Sequence, residues 1–102
     1  MSITAHVSEN NKQLTIVLND RLDFSSHGAF RDTYRSLDPS QFEITIDFKN
    51  TSYIDSAALG MLLVLRERAG GSRARITLKS CRAEVQQIMD ITHFEELFKF
   101  SA

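Results

Sequence analysis

The sequence predicts an α/β fold, a mixed β-sheet opened by an N-terminal hairpin with about four helices mainly on one face. Three observations predict it. Short runs alternate apolar with polar residues, the period of strands with one buried face. Between them, apolar residues recur at helical spacing behind Ser and Asp capping residues. After the first two strands the patterns take turns, in the order strand, strand, helix, strand, helix, strand, helix, helix. That alternation requires crossovers between parallel strands.

Ile3, Ala5 and Val7 alternate with Thr4, His6 and Ser8, and Leu14, Ile16 and Leu18 alternate with Thr15 and Val17. The polar turn 9–12 joins them as an antiparallel hairpin, and Asn19-Asp20-Arg21 ends the second strand. Leu22-Asp23-Phe24-Ser25-Ser26 leads into a helix with Ser25 or Ser26 as cap. Phe30, Tyr34 and Leu37 fall on one stripe of it, and Asp38-Pro39 stops it, because a residue before proline is pushed out of the helical region. Phe42, Ile44, Ile46 and Phe48 alternate with Glu43, Thr45 and Asp47, the clearest strand in the chain.

Lys49-Asn50-Thr51-Ser52 reads as a loop, Tyr53-Ile54 tucks back into the fold, and Asp55-Ser56 opens the central helix. Gly70-Gly71 closes that helix, with Arg66 and Arg68 suited to the negative end of its dipole. Ala74, Ile76 and Leu78 mark a further strand. Cys81, Val85, Ile88 and Met89 lie on one helical face. Thr92-His93-Phe94-Glu95 has the pattern of a capping box opening a short last helix that buries Phe94, Leu97 and Phe98.

With 102 residues, 42% of them apolar and 25% charged, the chain reads as one globular domain, residues 1–102. A net charge of −1, with Lys and Arg scattered, gives no basis for direct nucleic-acid binding. The single cysteine, Cys81, excludes an internal disulfide and suits a reducing compartment. The apolar run 57–65 is too short for a membrane span, and the N-terminus lacks a signal peptide's basic start and apolar stretch. The expectation is a small soluble cytoplasmic protein, a monomer.

Asp55 and Ser56 are two strong capping residues in tandem, directly before Ala57-Ala58-Leu59 and the apolar residues that follow. If Asp55 is the cap, its carboxylate takes the free N–H groups of the first turn and the Ser56 hydroxyl faces solvent. A helix N-terminus also favours an anion such as phosphate. Positions 56, 60, 63 and 67 share a face, so Gly60 leaves Ser56 unshielded. Leu63 reads equally as a surface anchor or as core.

The hairpin start, the strand Ile44-Thr45-Ile46-Asp47-Phe48 and the stretch Tyr53-Ile54-Asp55-Ser56-Ala57-Ala58-Leu59-Gly60 resemble STAS domains. More narrowly they resemble the bacterial anti-sigma factor antagonists, or anti-anti-sigma factors. The likeness runs from end to end, through Leu22-Asp23 and the terminal Phe94 to Phe98 segment. It implies the STAS (SpoIIAA-like) fold. By position it implies that Ser56 is phosphorylated by an anti-sigma factor that is itself an ATP-dependent serine kinase. It further implies that the unphosphorylated form binds that anti-sigma factor and frees the sigma factor, and that a PP2C-type phosphatase restores this form. The family usually carries glycine where this chain has Ala58, a change that favours the helix.

The expected partner-binding residues are Asp23, Asp47, Asp55, Ser56, Ala57, Gly60 and Leu63. Asp23 reads equally as a helix cap and Asp47 as a solvated strand-end residue, with Lys49 and Asn50 on the rim. His6, His27 and His93 lack the spacing of metal ligands, and Cys81 reads as packed rather than nucleophilic. There is no Gly-x-Ser-x-Gly elbow, P-loop or Gly-x-Gly-x-x-Gly, so no catalytic residue, cofactor or metal is expected. The chain reads as a kinase substrate rather than an enzyme. One competing reading is a STAS subunit of a larger transporter-associated or stress-signalling assembly. Another is a receiver domain with Asp47 as phosphoacceptor and Lys79 as its partner, against which the opening hairpin counts.

Overall fold

A computed structural model describes residues 3–102. Strands β1 (Thr4–Ser8), β2 (Gln13–Val17), β4 (Glu43–Asp47), β6 (Ile76–Lys79) and β7 (Lys99–Ser101) form one sheet in the order β1-β2-β4-β6-β7. Only β1 and β2 run antiparallel; the other pairs are parallel. A separate parallel pair, β3 (Arg21–Leu22) and β5 (Tyr53–Ile54), lies between the sheet and the helices in sequence. The helices are α1 (His27–Asp32), α2 (Ser56–Arg68) and α3 (Ala83–Ile91).

The alternation in the strands decides the core. Leu14 and Ile16 stand beside Ile44 and Ile46, which stand beside Ile76 and Leu78, all buried. Ala58, Met61, Leu62 and Leu65 of α2, Phe30 of α1, and Val85 and Met89 of α3 join the same cluster. Each fully buried Leu or Ile contributes roughly 1.5–3 kcal/mol before its entropy cost. The other face of the sheet carries Thr15, Thr45, Asp47 and Thr77, which are half-buried.

Four expectations need correction. In β1, Ala5 and Val7 stand opposite Ile16 and Leu14 yet are exposed, because the helical layer stops short of this edge strand. Asp23, not Ser25 or Ser26, caps the first helical segment, which starts as a 3-10 turn at Phe24–Ser26. That segment also ends early. Thr33 turns its hydroxyl onto the Phe30 carbonyl at 2.6 Å, and the chain continues to Leu37 in short-range turns. Tyr34 is buried all the same.

Residues 92–98 do not form the expected last helix, so the described residues contain three α-helices rather than four. Thr92 ends α3, its hydroxyl donating to the Ile88 carbonyl at 2.8 Å. His93 then adopts φ 58° and sends the chain through a 3-10 turn, Phe94–Glu96, into β7. Phe94 and Phe98 are buried and stacked with centroids 5.4 Å apart, whereas Leu97 is exposed. Cys81 precedes α3 and is half-buried.

The central helix follows the sequence closely. Asp55 caps it, and Gly70 and Gly71 release it at φ 117° and φ 63°, where other L-residues are strained. Its apolar run is not all core, since Leu63 and Val64 face solvent.

Candidate functional site

The site is built by the smallest sheet in the molecule. Arg21 pairs with Tyr53 and Leu22 with Ile54, so the following residues, Asp23 and Asp55, emerge side by side. Leu22 and Ile54 are buried and hold this pair to the core. Both aspartates are extended and both cap the helical turn that follows.

Asp23 Oδ1 accepts from Ser25 N at 3.0 Å and from Ser25 Oγ at 2.6 Å, while Asp23 N donates to Ser26 Oγ at 3.1 Å. Arg21 Nε donates to Asp23 Oδ2 at 3.2 Å, and its guanidinium lies 4.3 Å over the Tyr53 ring. The Ser25 hydrogen bonds hold the Asp23 carboxyl below its usual pKa; partial desolvation opposes this and Arg21 reinforces it. Asp55 joins the two elements. Its Oδ1 accepts from Ala58 N at 2.9 Å, and its Oδ2 accepts from Phe24 N at 3.1 Å.

With the Asp55 carboxylate engaged at both oxygens, Ser56 is the exposed first residue of α2. Ser56, Gly60, Leu63 and Glu67 are all exposed along one face, and a Cβ at Gly60 would meet no atom within 4 Å. Packing therefore does not explain that glycine. Ala57 and Gly60 also border a groove of about 430 Å³ between α1 and α2, floored by Phe30, Tyr34 and Met61.

The structure thus gathers Asp23, Asp55, Ser56, Ala57 and Gly60, with Leu63 one turn beyond Gly60. Asp47 stands apart. Its Oδ1 accepts from Lys49 N at 2.9 Å in its own loop, and it pairs in register with Lys79 on the open face of the sheet. Sequence reasoning missed Phe24, which is 78% exposed beside Ser56 although its backbone is pinned by Asp55. An aromatic residue set among Asp23, Ser25 and Ser26 was the available signal. It also missed that the last 3-10 turn brings His93, Glu95 and Glu96 together, with ligand atoms within 4.8 Å of one another. Three exposed side chains on one turn do not by themselves make a metal site. Among the described residues no helix is long and apolar enough to cross a membrane.

A family model described as "Mlab, STAS domain" matches residues 5–99. The chain is 46% identical over 101 residues to the STAS-domain containing protein PA14_20770 of Pseudomonas aeruginosa (strain UCBPP-PA14), covering 99% of this chain and 100% of that one. Among solved structures it is similar to the anti-sigma factor antagonist SpoIIAA in its unphosphorylated form, with TM-score 0.69 and 15% identity over 99% of this chain and 87% of that one. It is similar to phosphorylated Bacillus SpoIIAA at TM-score 0.72 and 14% identity, over 99% and 92% of the two chains. The murine anion transporter Slc26a9 matches at TM-score 0.65 and 21% identity, over 94% of this chain and 19% of that one. The receiver-domain reading of Asp47 and Lys79 is set aside by these matches. A hairpin-opened mixed sheet, twin aspartate caps and a family match over nearly the whole length lead to one conclusion: the chain belongs to the STAS domain family, regulatory proteins rather than enzymes, and has the SpoIIAA-like fold.

Proposed function

We propose that the chain is an anti-sigma factor antagonist, a single STAS domain switched by phosphorylation of Ser56. Unphosphorylated, it binds an anti-sigma factor with serine kinase activity and so releases the sigma factor; a PP2C-type phosphatase reverses the modification. It works as a cytoplasmic monomer. The observation that carries this reading is the exposed Ser56 at the head of α2, next to an aspartate whose oxygens are already taken. The similarity to SpoIIAA, whose structure has been solved in unphosphorylated and phosphorylated forms, supports a phosphorylation switch on this fold.

A phosphate here adds about −1.5 to −2 charges. The N-terminal end of α2 accommodates that charge, so the domain stays folded. The interface bears the cost, because Asp23 and Asp55 already make this rim acidic. Incubation with a candidate kinase and ATP, followed by mass spectrometric mapping, should place the phosphate on Ser56. Ser56→Ala should bind the kinase constitutively and Ser56→Asp weakly; equal affinities would refute the switch.

The second reading is a STAS subunit of a larger assembly. In the Slc26a9 match the similar segment is a minor part of an anion transporter, so this fold also occurs within such an assembly, without preference for either reading. Co-purification of the tagged protein with a transporter rather than a kinase would select it.

A further inference from the structure

The groove between α1 and α2 is not needed for phosphoryl transfer to Ser56, yet it has a definite chemistry. Its floor is apolar, from Phe30, Tyr34 and Met61, and Phe24 and Val64 form its exposed walls. Arg31 and Arg68 stand at its far end, and no carboxylate lines it, in a chain whose net charge is −1. Among the described residues neither arginine forms an ion pair with an acid, although Arg21 and Arg35 both do. Both guanidiniums act on the Tyr34 phenol: burial raises its pKa, and Arg68 and then Arg31 oppose the rise.

The groove also has a length. Ala57, Met61, Val64 and Arg68 line it at successive helical turns. At 1.5 Å per residue that stripe runs roughly 16 Å, about three turns of a second helix laid alongside. Its near end is Phe24 and Ala57, next to Ser56 and so continuous with the surface proposed for the partner.

We propose that this groove receives an amphipathic helix of the anti-sigma factor partner. The helix would be apolar where it meets Phe24 and Val64 and acidic where it reaches Arg31 and Arg68. The identity of the partner rests on the function proposed above; the acidic, helical character of the occupant rests on the groove alone. An apolar stripe of three turns suits a helix, and two unpaired arginines at one end set its direction. Phosphate on Ser56 would then act at the entrance of the groove, repelling an acidic segment drawn to the other end.

The test has two arms. In the first, a fluorescent helical peptide of about 18 residues, with Leu along one face and Glu in its last turns, is titrated into the protein while backbone amide NMR shifts are recorded. Binding that moves Phe24, Arg31, Val64 and Arg68, weakens with salt and vanishes when the peptide's Glu residues become Lys supports the proposal. No binding, or shifts elsewhere, overturns it. Equally tight binding of myristate to the same residues, or a concentration-dependent dimer that buries them, also overturns it by naming another occupant.

In the second arm, the affinity of the kinase that modifies Ser56 is measured for Arg31→Glu/Arg68→Glu. Turning two attractions into two repulsions should weaken binding roughly tenfold or more, while Arg35→Glu, outside the groove, changes little. If Ser56 is phosphorylated but the double variant binds as the wild type does, the groove proposal falls and the switch stands. If no kinase modifies Ser56 but the peptide binds as described, the reverse holds.

Discussion

Replacing Asp55 with alanine tests the central joint of the structure. The substitution removes the cap on Ala58 N at 2.9 Å and the bond from Phe24 N at 3.1 Å in one step. Loss of an N-cap costs about 1 kcal/mol. A hydrogen bond to an ionised acceptor contributes about 1.5–3 kcal/mol when shielded, and nearer 1 when water can replace it, as it can beside so exposed a residue as Phe24. The sum is about 2 kcal/mol, which for a domain of this size lowers the melting temperature by roughly 10 °C. Urea unfolding followed by circular dichroism measures it. Asp55→Asn, which still caps, should lose about half as much. Phe24→Pro removes the same N–H at a first-turn position that tolerates proline. A double-mutant cycle with Asp55→Ala should therefore show about 1 kcal/mol of coupling. A total loss under about 0.5 kcal/mol, or no coupling, would refute the account of Asp55 as the tie between the two capped turns.

Further outcomes are expected at four positions. Gly60→Ala should stabilise the fold by up to about 1 kcal/mol in urea titration, since α2 gains a better helix former and its Cβ meets open space; Gly70→Ala, at φ 117°, should cost about 1–2 kcal/mol. Burial, with a smaller effect of Asp90, pushes the Cys81 thiol up from near 9.0 to about 11. The unfolded chain therefore loses this proton first as pH rises, so stability falls between about pH 9 and 11, and Cys81→Ala should flatten that part of the curve. At pH 8 the thiol should react with iodoacetamide roughly a hundredfold more slowly in the folded than in the unfolded protein. Finally, Ser56→Asp and Ser56→Ala should both unfold within about 0.5 kcal/mol of the wild type, because position 56 is exposed and lies at the favourable end of the dipole. A larger loss would show that charge at this position acts on the fold rather than on a partner.

Much of this was legible where the chain repeats a pattern long enough to read. Phe42 to Phe48 alternate without interruption and become the centre of the sheet. Asp55 and the Gly70-Gly71 pair mark both ends of α2 because caps depend on local chemistry. The failures have physical causes. β3 and β5 have two residues each, too few to show a period, so the pairing that brings Asp23 to Asp55 was invisible. Thr92 followed by Glu95 satisfies the rule for a helix start, but its hydroxyl finds the carbonyls of the preceding turn instead. Lys99-Phe100-Ser101 becomes a strand only because the edge of β6 is there to receive it. In the site, the Asp55 cap and the open Ser56 could be read from capping rules, whereas the expected modification of Ser56 came from the family resemblance alone. Phe24 was legible only as an aromatic set among capping residues, because its place depends on the Asp55 carboxylate reaching it across 31 positions of sequence.

The two-residue pairing of β3 with β5 also works as a gauge. Asn19 and Asp20 on one side, and Thr51 and Ser52 on the other, are stapled by Thr51 Oγ1 to the Asn19 carbonyl at 2.7 Å and by Ser52 N to the Asp20 carbonyl at 2.9 Å. A single residue inserted after Asp20 would have to bulge or else move Arg21 into the buried place of Leu22, so it would disturb where the Phe24 turn meets Ser56 while leaving the main sheet intact. Spacing in this short connection, more than the identity of any one side chain, sets the distance between the aromatic ring and the serine. Two relatives with the same core could therefore present differently shaped surfaces to their regulators through nothing more than loop length.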